Sequence, residues 1–416
     1  MKPEGSVERT DHVTGVPRVT LDDILAARET LTGHSITTPM EESRWLSAIA
    51  GGPVLLKCEN LQRTGSFKAR GAYVRIARLT AEEQARGVVA ASAGNHAQGV
   101  ALAAQTLGIE ATVFMPEGAP IPKERATRAY GADVVFEGRY LEDALVGARR
   151  FAEETGAILI HPFDHADVVA GQGTVGLEIL EQAPETETVI VPTGGGGLLA
   201  GIAIAIKSLR PDITVIGVQA KGAAAYPDSL RQGAPVALSS MKTMADGIAV
   251  GLPGDITFGA VRDYCDEIVT VSEDAMSRAL LALVERAKMI VEPAGAAAVA
   301  ALLERPSAYG SPAVAVLSGG NIDPILLGKV TQHGMAAAGR YLNLHVNIPD
   351  VPGGLARLLG EVGETGANVL EVVHERISPS LLLDEVDVNL KLETRGEPHA
   401  AKVLERLRER GYRVHA

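Results

Sequence analysis

The chain has 416 residues, of which 46% are hydrophobic and 22% are charged, and 45 of them are glycine. This length and composition suit a soluble metabolic enzyme of two or three packed domains. The net charge of -12 argues against a nucleic-acid partner, and two cysteines, Cys58 and Cys265, support neither a disulfide framework nor a thiolate metal site.

The first 18 residues are polar and are expected to form a flexible N-terminal segment. They lack the apolar core of a signal peptide, and no apolar stretch of the chain is long enough to span a bilayer. The sequence therefore predicts a cytoplasmic protein with no membrane partner.

Lys68 is the first candidate for chemistry. The apolar run at residues 54–58 predicts a buried strand, residues 64–66 predict a turn, and Ser66 is expected to cap a helix that has Lys68 in its first turn. A partly desolvated amine near the positive end of a helix loses its proton readily, as Schiff-base chemistry with a carbonyl group requires. Taken alone, Lys68 is equally consistent with an ordinary solvated lysine.

Short β-branched runs then alternate with alanine-rich helical patterns, which predicts an α/β fold of parallel sheets covered by helices. Strands are predicted at residues 88–91, 112–115, 134–136, 157–160, 188–191, 213–218 and 314–317, and helices from Asn95, Pro122, Tyr140, Val168 and Leu198.

Three segments on these elements could bind polar groups. Four glycines, residues 194–197, precede a helix and expose backbone N–H groups suited to a phosphate, or alternatively allow tight packing. Residues 92–95 offer free amides to a carboxylate, although Asn95 is also consistent with a plain helix N-cap. Ser318 follows an apolar strand, and the two glycines after it could form only a turn.

The pattern changes near residue 331. Residues 331–340 are predicted to be a linker, and residues 341–416 read strand, helix, strand, strand, helix, strand. That order is typical of a ferredoxin-like fold.

Four segments together resemble the fold-type II pyridoxal-phosphate enzymes, and among these the threonine dehydratases, over nearly the whole chain. They are TGSFKARGA from Thr64, ASAGNHAQGVA from Ala91, GGGGL from Gly194 and VLSGGNID from Val316. The resemblance implies a catalytic domain over residues 19–330 with two open, mostly parallel sheets. A smaller subdomain, residues 62–165, would be inserted in the larger, and pyridoxal 5'-phosphate would lie in the cleft between them.

The resemblance also implies roles for individual residues. Lys68 would be the catalytic residue and would hold the cofactor covalently. The other cofactor-binding residues implied are Phe67, Asn95, Gly194, Gly195, Gly196, Gly197, Leu198, Glu292 and Ser318, and those for substrate are Ser92, Ala93, Gly94 and Asn95. Glu292 is also consistent with an ordinary carboxylate at a helix start. A neutral Ser318 at the pyridine nitrogen would favour rapid loss of a β leaving group.

The implied reaction is β-elimination from L-threonine to 2-oxobutanoate and ammonia, as the first step of isoleucine biosynthesis, with serine giving pyruvate as a side activity. Serine racemase, threonine synthase or another type II lyase, and a non-catalytic amino-acid sensor remain as alternatives. Ala93 argues against the racemase, because it stands where a racemase has a serine that acts on the opposite face of the substrate. The preference between threonine and serine, and whether a metal ion lies near the site, stay open.

Residues 341–416 resemble the ACT regulatory domain, in which an aspartate-proline-glycine loop lines an amino-acid site between subunits. The effector residues implied are Asp350, Gly353, Gly354 and Asn368, with isoleucine, or valine, as the effector of a homo-oligomer, expected to be a tetramer. Val351 departs from the arginine common in the family, which leaves the effector's identity open. A purely structural role in joining subunits is the alternative.

Overall fold

The computed structural model describes residues 16–376 and 384–415. Most of the segment predicted to be flexible, residues 1–15, therefore lies outside the described residues. The chain forms two compact units, Met1–Pro324 and Ile325–Ala416.

The described residues of the first unit form two sheets. Its strands are β1 (Met40–Glu42), β2 (Val54–Lys57), β3 (Val88–Ala91), β4 (Ala111–Met115), β5 (Asp133–Phe136), β6 (Ile158–Leu159), β7 (Thr188–Pro192), β8 (Thr214–Ala220), β9 (Glu267–Val271) and β10 (Ala313–Val316). The larger sheet has the order β1-β2-β10-β7-β8-β9, and the smaller has the order β5-β4-β3-β6. Every neighbouring pair is parallel except β1 with β2. The smaller sheet is inserted between β2 and β7, and the predicted α/β fold of mostly parallel sheets is confirmed.

Helices cover both sheets of this unit. They are α1 (Leu21–Thr30), α2 (Arg44–Ala50), α3 (Lys68–Ala77), α4 (Ala81–Ala85), α5 (Asn95–Leu107), α6 (Ile121–Ala129), α7 (Leu141–Thr155), α8 (Ala166–Gln182), α9 (Gly197–Leu209), α10 (Tyr226–Gln232), α11 (Asp255–Tyr264), α12 (Glu273–Ala282) and α13 (Ala297–Glu304). The strands β3, β7 and β10 are buried at every position because helices pack on both faces.

Close packing of α3 against α8 fixes the position of Lys68. A Cβ atom on Gly171 of α8 would lie 2.7 Å from Cα of Gly71 in α3, which is closer than any side chain tolerates. The two glycines therefore let the helix backbones approach directly. Lys68, one turn before Gly71, is held by this rigid contact.

The predicted capping role of Ser66 is wrong. Helix α3 has Phe67 at its N-cap position and no side-chain capping bond. Ser66 is fully extended because its backbone pairs with Gly319 in an isolated antiparallel bridge, and its Oγ is buried with no hydrogen-bond partner among the described residues. Ser66 therefore pairs with the segment at Gly319 and does not cap α3.

The second unit contains an antiparallel sheet, against which two of its helices pack. Its elements are α14 (Pro324–Ala337), β11 (Tyr341–Pro349), α15 (Gly354–Glu364), β12 (Asn368–Glu375), β13 (Glu385–Glu393), α16 (Glu397–Glu409) and β14 (Arg413–His415). The sheet has the order β12-β13-β11-β14, and alternate residues of β11 and β13 form a core with α15 and α16. The predicted order of strands and helices is confirmed. The predicted linker over residues 331–340 is instead helical as far as Ala337, since α14 continues through it.

None of the helices in residues 16–376 and 384–415 is long and apolar enough to cross a membrane.

Candidate active site

A cavity of about 430 Å³ lies in the first unit, where the strands β3, β7 and β10 end. Carboxyl ends of parallel strands are the usual place for ligands in α/β folds. The cavity brings together all the predicted cofactor-binding and substrate-binding residues, which are Phe67, Lys68, Ser92, Ala93, Gly94, Asn95, Gly194, Gly195, Gly196, Gly197, Leu198, Glu292 and Ser318. Segments that lie far apart in the sequence thus meet in one place.

Lys68 points its amine into this cavity. Its Nζ donates a hydrogen bond to the carbonyl oxygen of Pro162 at 2.7 Å and lies 5.3 Å from the centre of the Phe67 ring. Burial lowers the pKa of Lys68 to about 8, and the nearby carboxylate of Glu292 opposes this shift. A neutral amine is therefore accessible near physiological pH, which an exposed lysine would not offer.

Asn95 faces the cavity and does not cap its helix. Gly94 is the N-cap residue, and Asn95 is the first residue of α5. Its Nδ2 donates to Oε1 of Glu292 at 2.7 Å, and its Oδ1 accepts from Nδ2 of Asn321 at 2.9 Å. The plain capping interpretation is therefore wrong, because Gly94 is the N-cap and both ends of the Asn95 amide bond other side chains.

Glu292 is buried, with 3% of its surface exposed, and precedes α13 by five residues, so it is not a solvated carboxylate at a helix start. Burial raises the pKa of Glu292 to about 7, and the charge of Asp246 adds to the effect. Lys123, Asn95 and Lys68 act in the opposite direction. Glu292 and Lys68 consequently have pKa values close to each other and to neutral pH.

The glycine loop, residues 194–197, is held from behind by buried side chains. Oη of Tyr226 and Oγ1 of Thr257 donate to the carbonyl oxygen of Gly195 at 3.2 and 2.7 Å, and Nε2 of Gln219 lies 3.5 Å from the carbonyl oxygen of Gly194. In the described part of the chain, the N–H groups of Gly195 and Gly196 donate to no backbone or side-chain acceptor.

The loop also leaves no room for side chains. A Cβ on Gly195 would lie 2.5 Å from the Phe163 ring, and Gly196 has a φ of 96°, which favours glycine. Since the loop opens α9 and lines the cavity, it presents amides and a helix N-terminus to an anion. This arrangement fits a phosphate group, and together with Lys68 it fits a phosphorylated aldehyde.

Ser318 is fixed beside Lys68 by backbone contacts. Its carbonyl oxygen accepts from the N–H of Phe67 at 3.2 Å, and the N–H of Gly320 donates to the carbonyl oxygen of Gly65 at 2.9 Å. Ser318 is 3% exposed and lines the cavity, so the segment does more than turn the chain.

Several residues that line the cavity or support it carry no signal that the sequence interpretation used. Lys123 and Asp246 line the cavity, and Tyr226 and Thr257 support the glycine loop. They come from loops and helix starts without a repeated pattern, so only tertiary structure reveals them. A lysine in the first turn of α6, where the helix dipole disfavours a cation, is the one local signal available.

No group of three or more histidine, cysteine or acidic side chains among residues 16–376 and 384–415 is arranged to hold a metal ion. Burial raises the pKa of both cysteine thiols to about 12, so Cys58 and Cys265 remain protonated.

The predicted effector residues do not form one cluster within a single chain. Asp350 accepts from Arg376, and Gly353, with a φ of 81°, caps α15, whose first residue is Gly354. Asn368 begins β12 and donates to Glu393 at 3.3 Å, at the opposite end of the sheet from Asp350, because Pro349 pairs with Glu385 and Asn368 pairs with Glu393.

Comparison with known proteins agrees with this geometry. Residues 31–319 match the family model described as "Pyridoxal-phosphate dependent enzyme". An L-threonine ammonia-lyase of Thermotoga maritima is 47% identical over 396 residues, which is 95% of this chain and 99% of that protein. The solved processed form of threonine deaminase isoform 2 from Solanum lycopersicum has a TM-score of 0.73 at 38% identity, covering 80% of this chain and 94% of its own. A solved maize serine racemase has a TM-score of 0.72 at 37% identity, covering 75% and 96%.

Proposed function

The chain belongs to the pyridoxal-phosphate dependent enzymes, and on that premise we propose that it is a threonine ammonia-lyase that converts L-threonine to 2-oxobutanoate and ammonia, and serine to pyruvate as a side activity. The relative from Thermotoga maritima is named for this activity and matches nearly the full length of the chain. The observation that carries the proposal is the convergence of Lys68, the glycine loop and Ser318 on one cavity.

When bound, pyridoxal phosphate supplies a carbonyl for attachment to Lys68 and an electron sink for negative charge on the substrate's Cα. The glycine loop would hold its phosphate through the N–H groups of Gly195 and Gly196, and Asn95 would face its ring from the cavity wall. Ser318, a neutral hydroxyl, would face the ring nitrogen.

Residues of the chain would carry out the other steps of the reaction. Amides of residues 92–95, at the start of α5, hold the substrate's carboxylate and orient the Cα–H bond. The amine of Lys68, whose pKa is lowered to about 8, takes the α-proton. The β-hydroxyl takes up one proton and leaves as water, which balances the α-proton that Lys68 removed. The released enamine tautomerises to an imine, which takes up water to give 2-oxobutanoate and ammonia.

Serine racemase is the second candidate, since the maize enzyme has a closely similar fold. Racemisation requires a group that returns a proton to the opposite face of Cα. The residue before Gly94 is Ala93, which lines the cavity and has no proton to give. We therefore favour elimination over racemisation.

We further propose that the second unit is an ACT-like regulatory domain, with isoleucine as effector of a homotetramer and threonine deamination as the first step of isoleucine synthesis. The order of strands and helices in this unit supports the domain type. Since Asp350 and Asn368 lie at opposite ends of one sheet, an effector site that uses both needs two copies of the unit, with Asp350, Gly353 and Gly354 from one and Asn368 from the other.

The direct test is steady-state production of keto acid by the purified protein from threonine and from serine, with D-serine measured in the same samples. We expect 2-oxobutanoate from threonine and little D-serine. D-serine formation as fast as elimination would favour the racemase, and absence of any turnover would favour an amino-acid sensor.

A further inference from the structure

Lys123 and Asp246 face each other across the mouth of the cavity. Nζ of Lys123 lies 2.8 Å from Oδ2 of Asp246, and both residues line the cavity. The lysine belongs to α6, which packs on the side of the smaller sheet, against α5 and β5. The lysine side chain is 11% exposed and the aspartate side chain 57%, so the pair stands where the cavity meets solvent.

Asp246 belongs to a turn that is anchored to the other side of the cleft. The turn Asp246–Ile248 follows Met244, whose N–H donates to Glu273 of α12 at 2.9 Å. A Cβ on Gly194 would lie 3.0 Å from Cα of Ile248, so the turn touches the glycine loop. The ion pair therefore joins the two sides of the catalytic unit.

Local preference does not explain why Lys123 is placed here. It lies in the first turn of α6, at the positive end of the helix dipole, and the helix has no side-chain cap. A largely buried ammonium at this end is costly unless an anion compensates it, and Asp246 is that anion. Residues that break a local rule and are compensated from another element frequently serve a functional site.

The pair lies close to both Glu292 and residues 92–95, the carboxylate loop. Nζ of Lys123 lies 3.9 Å from the position of a Cβ on Gly94, within the segment that would hold the substrate's carboxylate. Beside Asp246, a Cβ on Gly247 would lie 3.3 Å from Oε1 of Glu292. Because α6 packs against α5, which begins at Asn95 of the carboxylate loop, a movement of α6 away from the turn would displace this loop and open the cavity to water.

We propose that the Lys123–Asp246 ion pair is the closing contact of the active site, a pair of positioning residues that holds α6 against the turn Asp246–Ile248 and keeps the carboxylate loop over the amino-acid substrate. The proposal rests on the proposed deamination of threonine. It assigns the pair no bond-making or bond-breaking step.

The test compares Lys123→Met, Asp246→Asn and the double variant with wild-type holoenzyme. Each single variant should lower kcat/KM for threonine about tenfold or more, mainly by raising KM, because the loop is no longer held in place. The double variant should be no worse than the poorer single variant, since both changes break the same contact. Lys123→Arg, which keeps the positive charge, should retain most of the wild-type kcat/KM.

A matched control is the ion pair of Lys207 with Asp266, which has the same 2.8 Å distance and a similarly buried lysine but does not line the cavity. Lys207→Met and Asp266→Asn should leave kcat/KM for threonine within about twofold of wild type.

The pH profile gives a readout that a merely structural role would not move. The groups that face Glu292 are Asp246, Lys123, Lys68 and the amide of Asn95. Glu292 accepts a hydrogen bond from Asn95, in the segment that would hold the substrate's carboxylate, so its protonation should affect kcat/KM. Because the carboxylate of Asp246 raises the pKa of Glu292 and the ammonium of Lys123 lowers it, Asp246→Asn should shift the corresponding limb of the pH profile of kcat/KM to lower pH. Lys123→Met should shift it to higher pH.

Three results would each overturn the proposal. They are wild-type kcat/KM in the single variants, additive losses of kcat/KM in the double variant, and shifts of the pH profile in the same direction in both single variants. If Lys123→Met does not fold, Asp246→Asn carries the test, since its side chain is more than half exposed. Wild-type protein that makes no 2-oxobutanoate would instead reject the proposed function, so the two failures are distinguishable.

Discussion

Lys68 and Glu292 show how burial prepares single side chains for chemistry. Burial lowers the pKa of Lys68 to about 8 and raises that of Glu292 to about 7, so that groups of opposite charge type come to titrate within one pH range. Asn95, the first residue of α5, donates to Glu292 and lies in the segment that would hold the substrate's carboxylate. A lysine that can lose its proton and a carboxyl that can keep one are both available near neutral pH.

Ala93 offers a test of reaction type at a single position. The change Ala93→Ser adds a hydroxyl to the cavity wall, and if a missing proton donor separates this enzyme from a racemase, the variant should form D-serine from L-serine where wild type forms almost none. Chiral separation of the product amino acids measures this. Wild-type racemisation at the rate of elimination would contradict the interpretation of Ala93.

His96 predicts a loss of stability in acid. Its Nε2 lies 2.8 Å from the carbonyl oxygen of Ile160, and burial lowers the pKa of His96 to about 3. The folded state therefore binds a proton at His96 more weakly than the unfolded state does. The contribution of neutral His96 to stability is fully present above about pH 6.5 and is lost as the pH drops towards 3. Between pH 7 and pH 5 the loss from this side chain is about 2 kcal/mol.

The measurement for His96 is the thermal unfolding midpoint of the apoenzyme at pH 7 and pH 5. The decrease should be smaller in His96→Gln, whose amide keeps a donor for Ile160 but does not titrate. His374→Gln, at an exposed position of β12, is the control and should behave as wild type. An unchanged decrease in His96→Gln would contradict the linkage.

At the scale of elements, sequence pattern predicted the strands with strong apolar runs and missed the weak ones. Strands such as β3, β7 and β10 are buried throughout and stand out in the sequence. The strand β1 has three residues, none of them buried, and β9 begins with an exposed glutamate, so neither carries a strong apolar signal. The strands β1 and β9 form because they pair with a neighbouring strand, and local propensity does not predict such pairing.

The residues of the site also divide into those that the sequence predicted and those that it missed. Lys68, Asn95, the glycine loop and Ser318 were predictable because each follows a strand within a recognisable motif. Lys123 and Asp246 were not, because the loop of Asp246 has no periodicity and meets α6 only through tertiary structure. The capping role of Ser66 failed for a related reason, since the bridge to Gly319, far along the chain, decides its backbone conformation.

A buried ion network holds α3 to α8 and to the first strands. Arg70 pairs with Glu59 at 2.8 Å and with Glu178 at 2.6 Å, and Glu178 also pairs with Lys57 at 2.6 Å. Arg70→Met would leave the buried carboxylate of Glu59 without a paired cation and that of Glu178 with Lys57 alone, so it should lower the free energy of unfolding by about 3–5 kcal/mol. It should also lower turnover, because Arg70 lies in the same helical turn as Lys68.

The control for Arg70 is Arg28→Met. Arg28 pairs with Glu181 of the same helix α8 at 2.8 Å, but both side chains are largely exposed. The change should alter stability by no more than about 1 kcal/mol. Denaturant unfolding measures both variants, and a similar, small effect for Arg70→Met would show that the network is not required.

At the scale of the whole molecule, the residues of the candidate active site and those of the proposed effector site lie in separate compact units. The cavity residues end at Ser318, and the second unit has its own core. This division predicts that residues from Tyr341 onward regulate the reaction and do not carry it out.

Deleting the chain from Tyr341 onward tests the regulatory role. The truncated protein should still deaminate threonine but should lose inhibition by isoleucine, whose coupling in the full chain we expect to be about 1–3 kcal/mol. Initial rates over a range of isoleucine concentrations and the mass of the assembly in solution measure the change. An active truncated protein with unchanged sensitivity to isoleucine would place the effector in the catalytic cavity.

The central claim, that Lys68 carries both cofactor attachment and proton removal in threonine deamination, is tested most directly by Lys68→Ala. With pyridoxal phosphate present, the variant should keep its fold and its phosphate contacts but should form 2-oxobutanoate from threonine at least about a thousandfold more slowly than wild type. Borohydride reduction should label a Lys68 peptide in wild type only. Turnover by Lys68→Ala within about tenfold of wild type would contradict the account.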